Sequence, residues 1–264
     1  MPQKLPYWQK NDDPKSPLFA DLTWNIPDQK SGHISVIGGN SQAFSTPVKI
    51  SDYLCQKFPL QELTTILPDS LQKSLPPLEN IVFAPSTNSG SFAESPQLLQ
   101  STGDNNLLIG DLSKNTITAK AIAKLIQHTD TPLLITRDTV DLIVSNAQDI
   151  IEHPGLIFVA SLAQLQKLFR ALYYPKMLVF SMPLLQLIET LHKFTLSYPC
   201  TIMTFHENQI VVAHDGKVTT TPIKNTKYTP LSLWSGTLAA NITAFNLYNP
   251  KNQLAATTAA IAFA

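Results

Sequence analysis

Four places along the chain bring together residue types that can do chemistry. Gly38-Gly39-Asn40 closes one apolar run, Gly110-Asp111 closes a second, Asp138 and Asp141 follow a third, and Ser235-Gly236-Thr237 stands before a long helical stretch. Glycines between a strand and a helix let backbone amides approach a phosphate. Aspartates beside such a turn can hold a metal ion or accept a proton. Each place also has a purely structural reading. Gly38-Gly39 can be an ordinary tight turn, and Asp138 with Asp141 a helix cap and its solvated partner. Asp111 can be an N-cap-type loop residue or a metal ligand, and Thr237 a plain N-cap.

The remaining reactive side chains form no constellation. His33, His128, His153, His192, His206 and His214 lack metal-ligand spacing, and His206-Glu207 reads as a surface loop. Cys55 and Cys200 are too far apart in sequence to make a C-x-x-C motif, and both read as buried thiols. Arg137 and Arg170 are the only arginines, so bidentate clamps on phosphate or carboxylate can hardly be numerous.

These residues need a frame, and the sequence supplies one. Of 264 residues, 44% are apolar and only 14% charged, with nineteen acids and nineteen bases giving a net charge of zero. That composition excludes disorder and gives no electrostatic support to nucleic acid or an anionic membrane as partner. No apolar run is long enough to span a bilayer, which makes the cytoplasm the expected location. Low charge leaves little repulsion between copies, so a homo-oligomer is expected.

Short apolar strands alternate with helical patterns: His33 to Ile37, Leu107 to Ile109, Leu133 to Thr136, Leu156 to Ala160 and Met177 to Ser181 read as strands. Val48 to Phe58, a stretch around Ala121 to Ile126, Leu162 to Leu168, Leu184 to Leu191, Gly236 to Tyr248 and Leu254 to Ala264 read as helices. Continuous apolar strands of this kind belong to a mostly parallel sheet covered by helices on both faces. His214-Asp215-Gly216, between two β-rich runs, predicts a hairpin late in the chain. Residues 1–29, with five prolines, read as an extension on a domain of residues 30–264.

Lys30 to Asn40, with Ser45-Thr46-Pro47 after it, resembles the opening strand and glycine turn of ADP/ATP-dependent NAD(P)H-hydrate dehydratases of the ribokinase-like superfamily. Further segments keep the family's order. Leu67 to Ser70 and Leu75-Pro76 resemble its second strand and a later loop, Leu108-Ile109-Gly110 its glycine-proline-glycine turn, and Pro132 to Ile143 the strand with an Asp-x-Asp element. Cys200 to Thr221 resembles the hairpin before the phosphate loop, and Ser232 to Leu247 the loop and helix that carry catalysis. The resemblance implies a three-layer ribokinase-like fold, ATP or ADP with Mg²⁺ as cofactor, and NAD(P)H or its hydrate as ligand. On this reading Gly38, Gly39, Asn40, Gly110, Asp111, Asp138, Ser235, Gly236 and Thr237 are the candidate ligand-binding residues.

The same alignment exposes departures. The family's Gly-(Thr/Ser)-Gly-Asp loop reads Trp234-Ser235-Gly236-Thr237, so a threonine stands where the catalytic aspartate belongs, and a hydroxyl cannot take a proton as a carboxylate does. The first Asp of Asp-x-Asp is Thr136, and Gln164 replaces a usual acid. The resemblance therefore implies a catalytically degenerate relative that binds nucleotide or serves a structural role. The alternatives are an active enzyme in which Asp111, Asp138 or Asp141 has become the base, and an interaction protein without a ligand site.

Overall fold

The computed structural model describes residues 5–12, 26–75 and 80–262. Within them a strand at the N-terminus, β1 (Trp8–Lys10), precedes β2 (His33–Gly38), α1 (Ser45–Lys57), β3 (Glu62–Pro68), β4 (Ile81–Ala84), α2 (Pro96–Gln100) and β5 (Asn105–Gly110). Then come α3 (Thr116–His128), β6 (Leu133–Thr136), α4 (Asp138–Ile143), α5 (Ala147–Ile150), β7 (Leu156–Val159), α6 (Leu162–Ala171) and α7 (Leu184–Ser197). The chain closes with β8 (Thr201–His206), β9 (Gln209–His214), β10 (Lys217–Pro222), α8 (Ser232–Ser235), α9 (Thr237–Tyr248) and α10 (Gln253–Ala262).

The strands form one sheet in the order β1-β10-β9-β8-β7-β6-β5-β2-β3-β4. From β4 to β8 all neighbours run parallel, while β8, β9 and β10 are antiparallel. Alternation along the strands feeds two cores. Ile34, Val36, Leu107, Ile109, Ile157 and Val159 face the side of α1, α9 and α10; Ile37, Leu108, Leu133, Ile135 and Phe158 face the side of α3, α6 and α7. Both faces are apolar because both are covered, the condition under which a parallel sheet is stable. The expected hairpin turns through Asp215 (φ 46°) and Gly216 (φ 67°), both left-handed, which suits the twist of β9 and β10.

The order reverses between β2 and β5. After β2 the chain builds outward through β3 and β4, then returns to the other side of β2, leaving a crevice at the carboxyl ends of β2 and β5. Backbone fills the closest approach there. A Cβ on Gly38 would lie 2.5 Å from the Gly110 carbonyl oxygen, so only glycine fits.

Two expectations about elements and side chains are corrected. Met177 to Ser181 is a connection between α6 and α7, not a strand. A short apolar run alone does not define its conformation. Here Leu178 and Met182 are buried while Met177, Val179 and Phe180 point outward. Cys55 is exposed, because α1 buries Pro47, Ile50, Ser51 and Leu54 and the next residue falls out of phase. Cys200 is buried, and burial pushes its thiol up to about 12. Pro76, within the predicted loop Leu75-Pro76, lies outside the described residues, as do residues 1–4 and 13–25 of the expected N-terminal extension. No helix among the described residues is long and apolar enough to cross a membrane.

Candidate functional site

At the end of β5 the chain turns through two left-handed residues, Gly110 (φ 98°) and Asp111 (φ 58°), which directs the amides of Asp111 and Leu112 toward α4. Asp138, the first residue of α4, meets both. Its Oδ1 accepts from the Asp111 N–H at 3.1 Å and its Oδ2 from the Leu112 N–H at 3.0 Å. A Cβ on Gly110 would stand 2.2 Å from that Oδ1, so the glycine admits the carboxylate. Neither a cap of its own helix nor an acid-base partner of Asp141, Asp138 clamps a neighbouring loop.

The Asp111 carboxylate turns to Arg137, whose Nη2 lies 2.8 Å from Oδ1; the two side chains are 12% and 14% exposed. Arg137 Nη1 also donates to the Ile109 carbonyl at 3.4 Å, and its Nε is buried with no partner. The Arg137 backbone (φ 55°, ψ −140°) is strained for a residue with a side chain, at about 1–3 kcal/mol. A second tier supports the first. Gln164 Nε2 donates to the Arg137 carbonyl at 2.6 Å and to Asp141 Oδ2 at 2.9 Å, and Lys167 pairs with Asp141. Gln164 is itself fixed by a reciprocal capping box with Ser161 at the start of α6.

The glycine turn after β2 joins the same network. Gly39 N–H donates to the Gly110 carbonyl at 2.9 Å, and Asn40 Nδ2 to the Asp111 carbonyl at 2.6 Å. Asn40 Oδ1 accepts from the amides of Gln42 and Ala43. Gly38, Gly39, Asn40, Gly110, Asp111 and Asp138 are thus together, and they bond to one another.

Gly236 (φ 82°) lies against the back of this turn. A Cβ there would stand 2.9 Å from Ile109 Cδ1 and 3.1 Å from Ile50 Cδ1, which places the start of α9 beside β5. Asn241, farther along α9, takes a hydrogen bond from Tyr53 at 2.8 Å and donates to Tyr228, whose phenol burial pushes up to about 12. Gly236, not Thr237, is the N-cap, and the Ser235 hydroxyl accepts a long hydrogen bond from the Thr237 N–H at 3.4 Å. The Ser235 and Thr237 hydroxyls lie 3.0 Å apart and bond each other. Trp234 is half exposed beside them.

Sequence reasoning gave no site role to Arg137, although its being one of two arginines was a signal. His206 is also corrected: it is buried at the end of β8, with Nε2 donating to the Met182 carbonyl at 2.7 Å, and only Glu207 beside it is exposed.

No sequence-family model matches the chain, and no curated protein matches it. Solved structures do. A ribokinase-like superfamily protein from Enterococcus faecalis V583 superposes with a TM-score of 0.63 at 13% identity, covering 97% of this chain and 86% of that one. The fold is ribokinase-like. An ADP/ATP-dependent NAD(P)H-hydrate dehydratase from Bacillus subtilis, co-crystallized with ATP/Mg²⁺ and soaked with CoA, shares this ribokinase-like fold at a TM-score of 0.59 and 12% identity, covering 92% and 84% of the two chains. A hydroxyethylthiazole kinase protein from Pyrococcus horikoshii OT3 does so at 0.53 and 9%, covering 92% and 80%.

The ribokinase-like neighbours raise the question of nucleotide and metal. Among the described residues no group of three or more His, Cys, Asp or Glu side chains is placed to hold a metal ion. The carboxylates at the crevice are engaged by Arg137 and by backbone amides. A Mg²⁺ held here together with a nucleotide's phosphates would have to compete with Arg137 for Asp111 or with the loop amides for Asp138.

Proposed function

We propose that the chain is a catalytically degenerate ribokinase-like protein, of NAD(P)H-hydrate dehydratase type, with little or no turnover. A phosphoryl-transfer or dehydration step needs a base whose lone pair reaches the reacting proton. One observation carries the proposal: the three aspartates able to replace the missing base are each already engaged by donors of the same chain. Asp138 holds two amides, Asp111 holds Arg137, and Asp141 holds Lys167 and Gln164. Thr237 offers only a hydroxyl. Purified protein given hydrated NADH with ATP or ADP and Mg²⁺ should regenerate no NADH above the uncatalysed rate. Turnover abolished by Asp111→Asn, Asp138→Asn or Asp141→Asn would sink the proposal.

Nucleotide binding without turnover is the second reading, supported by the start of α9. Its first turn holds no acidic residue, its first amide has only a long bond to the Ser235 hydroxyl, and the hydroxyls of Ser235 and Thr237 stand beside it. Such an end favours a phosphate. Thermal unfolding with ATP, ADP, NADH and NADPH tests it, since a ligand at 100 times its dissociation constant adds about 2.7 kcal/mol of stability. No shift with any of them leaves a protein that acts through its surface. We propose a homo-oligomer on the grounds of low charge density; light scattering at two concentrations tests that assembly.

A further inference from the structure

The surface between α6 and α7 carries a groove of about 380 Å³ that the proposed function does not use. Its floor is rigid. Phe169 stacks on Phe194 at 4.2 Å, Tyr174 packs edge-on against both, and Leu178 is buried. The connection is held in place by Gln166 Nε2 on the Leu178 carbonyl at 2.8 Å and by His206 on the Met182 carbonyl. Tyr173, Met177 and Val179, three of the ten large apolar side chains exposed among the described residues, line this one groove.

Tyr173 adds an independent observation. The amides of Tyr173 and Tyr174 bond the carbonyls of Arg170 and Phe169, the pattern that ends a helix with a left-handed residue, usually glycine. Here that seat, at φ 52°, holds a tyrosine that is 83% exposed. A bulky residue in this conformation is strained, and its ring gains no burial in return. The strain has a use if the ring meets a partner at the groove's rim.

The charges say what kind of partner. No acidic residue occurs between Glu152 and Glu189 in the sequence. Arg170 and Lys176 line the groove, and neither has an acidic partner among the described residues. We propose that this groove binds an acidic peptide segment of another protein, anchored by one bulky apolar side chain on the aromatic floor, with carboxylates on Arg170 and Lys176. A second copy of the chain fits poorly, because a two-fold contact through this face sets cations against cations. A concave floor favours an inserted side chain over a flat bilayer.

The test pans a random-peptide phage library on the full chain and measures the enriched peptide by fluorescence anisotropy. Enrichment of acidic residues flanking Phe, Leu or Trp is expected. Arg170→Glu with Lys176→Glu should weaken binding about tenfold or more. Tyr173→Gly should weaken it about tenfold while raising the melting temperature, a pairing that a merely structural tyrosine would not give. Four results would overturn the proposal: no enrichment, enrichment of uncharged or basic peptides, binding unchanged in both variants, or a groove occupied instead by phosphatidylserine vesicles or by a second copy.

Discussion

The crevice between β2 and β5 and the groove between α6 and α7 are opposites. In the crevice, strained backbone at Asp111 and Arg137 is matched by partners: each carboxylate has a donor, and the loop amides have an acceptor in the same chain. At the groove, the left-handed turn at Tyr173 closes the end of α6 through two amide–carbonyl bonds, but the Tyr173 ring, the cations and the neighbouring apolar side chains face outward without partners among the described residues. Strain that the fold itself satisfies is structural. A bulky ring held out in solvent on such a backbone points to something outside the chain.

The largest test of this contrast is Arg137→Leu, which leaves Asp111 confined without its counter-charge. It should cost about 3 kcal/mol in denaturant unfolding, toward the lower end of the range for a broken buried pair. A cost near zero would mean that the crevice is not held by this pair. Asp138→Ala comes next, at about 2 kcal/mol, because two amides lose their acceptor; Asp138→Asn should recover part of it. If Asp138→Ala instead raised affinity for ATP in the thermal assay, the crevice would be a site that the carboxylate blocks. Tyr173→Gly should stabilise by about 1 kcal/mol, the reverse sign, by relieving a left-handed tyrosine.

The smallest effect lies outside both regions. Burial lowers the pKa of His214, against a smaller opposing pull from Asp215. Between that lowered value and 6.5 the unfolded chain binds more protons than the folded one, so stability falls as pH drops through this window. His214→Gln should flatten the slope of stability against pH below about 6.5, and an unchanged slope would assign it elsewhere.

The frame of the molecule was legible because its signals are local. Alternating apolar runs and helical spacing gave the parallel sheet, and Asp215-Gly216 gave the hairpin. The site residues were legible as positions but not as partners. Nothing within Pro132 to Ile143 says that Asp138 will reach back to the amides of Asp111 and Leu112, since that contact arises only when β5 and β6 lie side by side. Met177 to Ser181 failed for a related reason: its composition suits a strand, and only the pairing of β7 directly with β8 leaves it no place in the sheet. His206 was misjudged because a turn after it suggested exposure, while Met182, from a distant connection, covers it.

β1 has a consequence in time. Trp8 to Lys10 leaves the ribosome more than two hundred residues before Val218 to Thr220, the segment it pairs with. Until β10 is made, that segment has no strand to pair with, and this margin of the sheet is not yet built. β1 is therefore a late clasp, and a nascent chain stalled before β10 carries it without its strand partner.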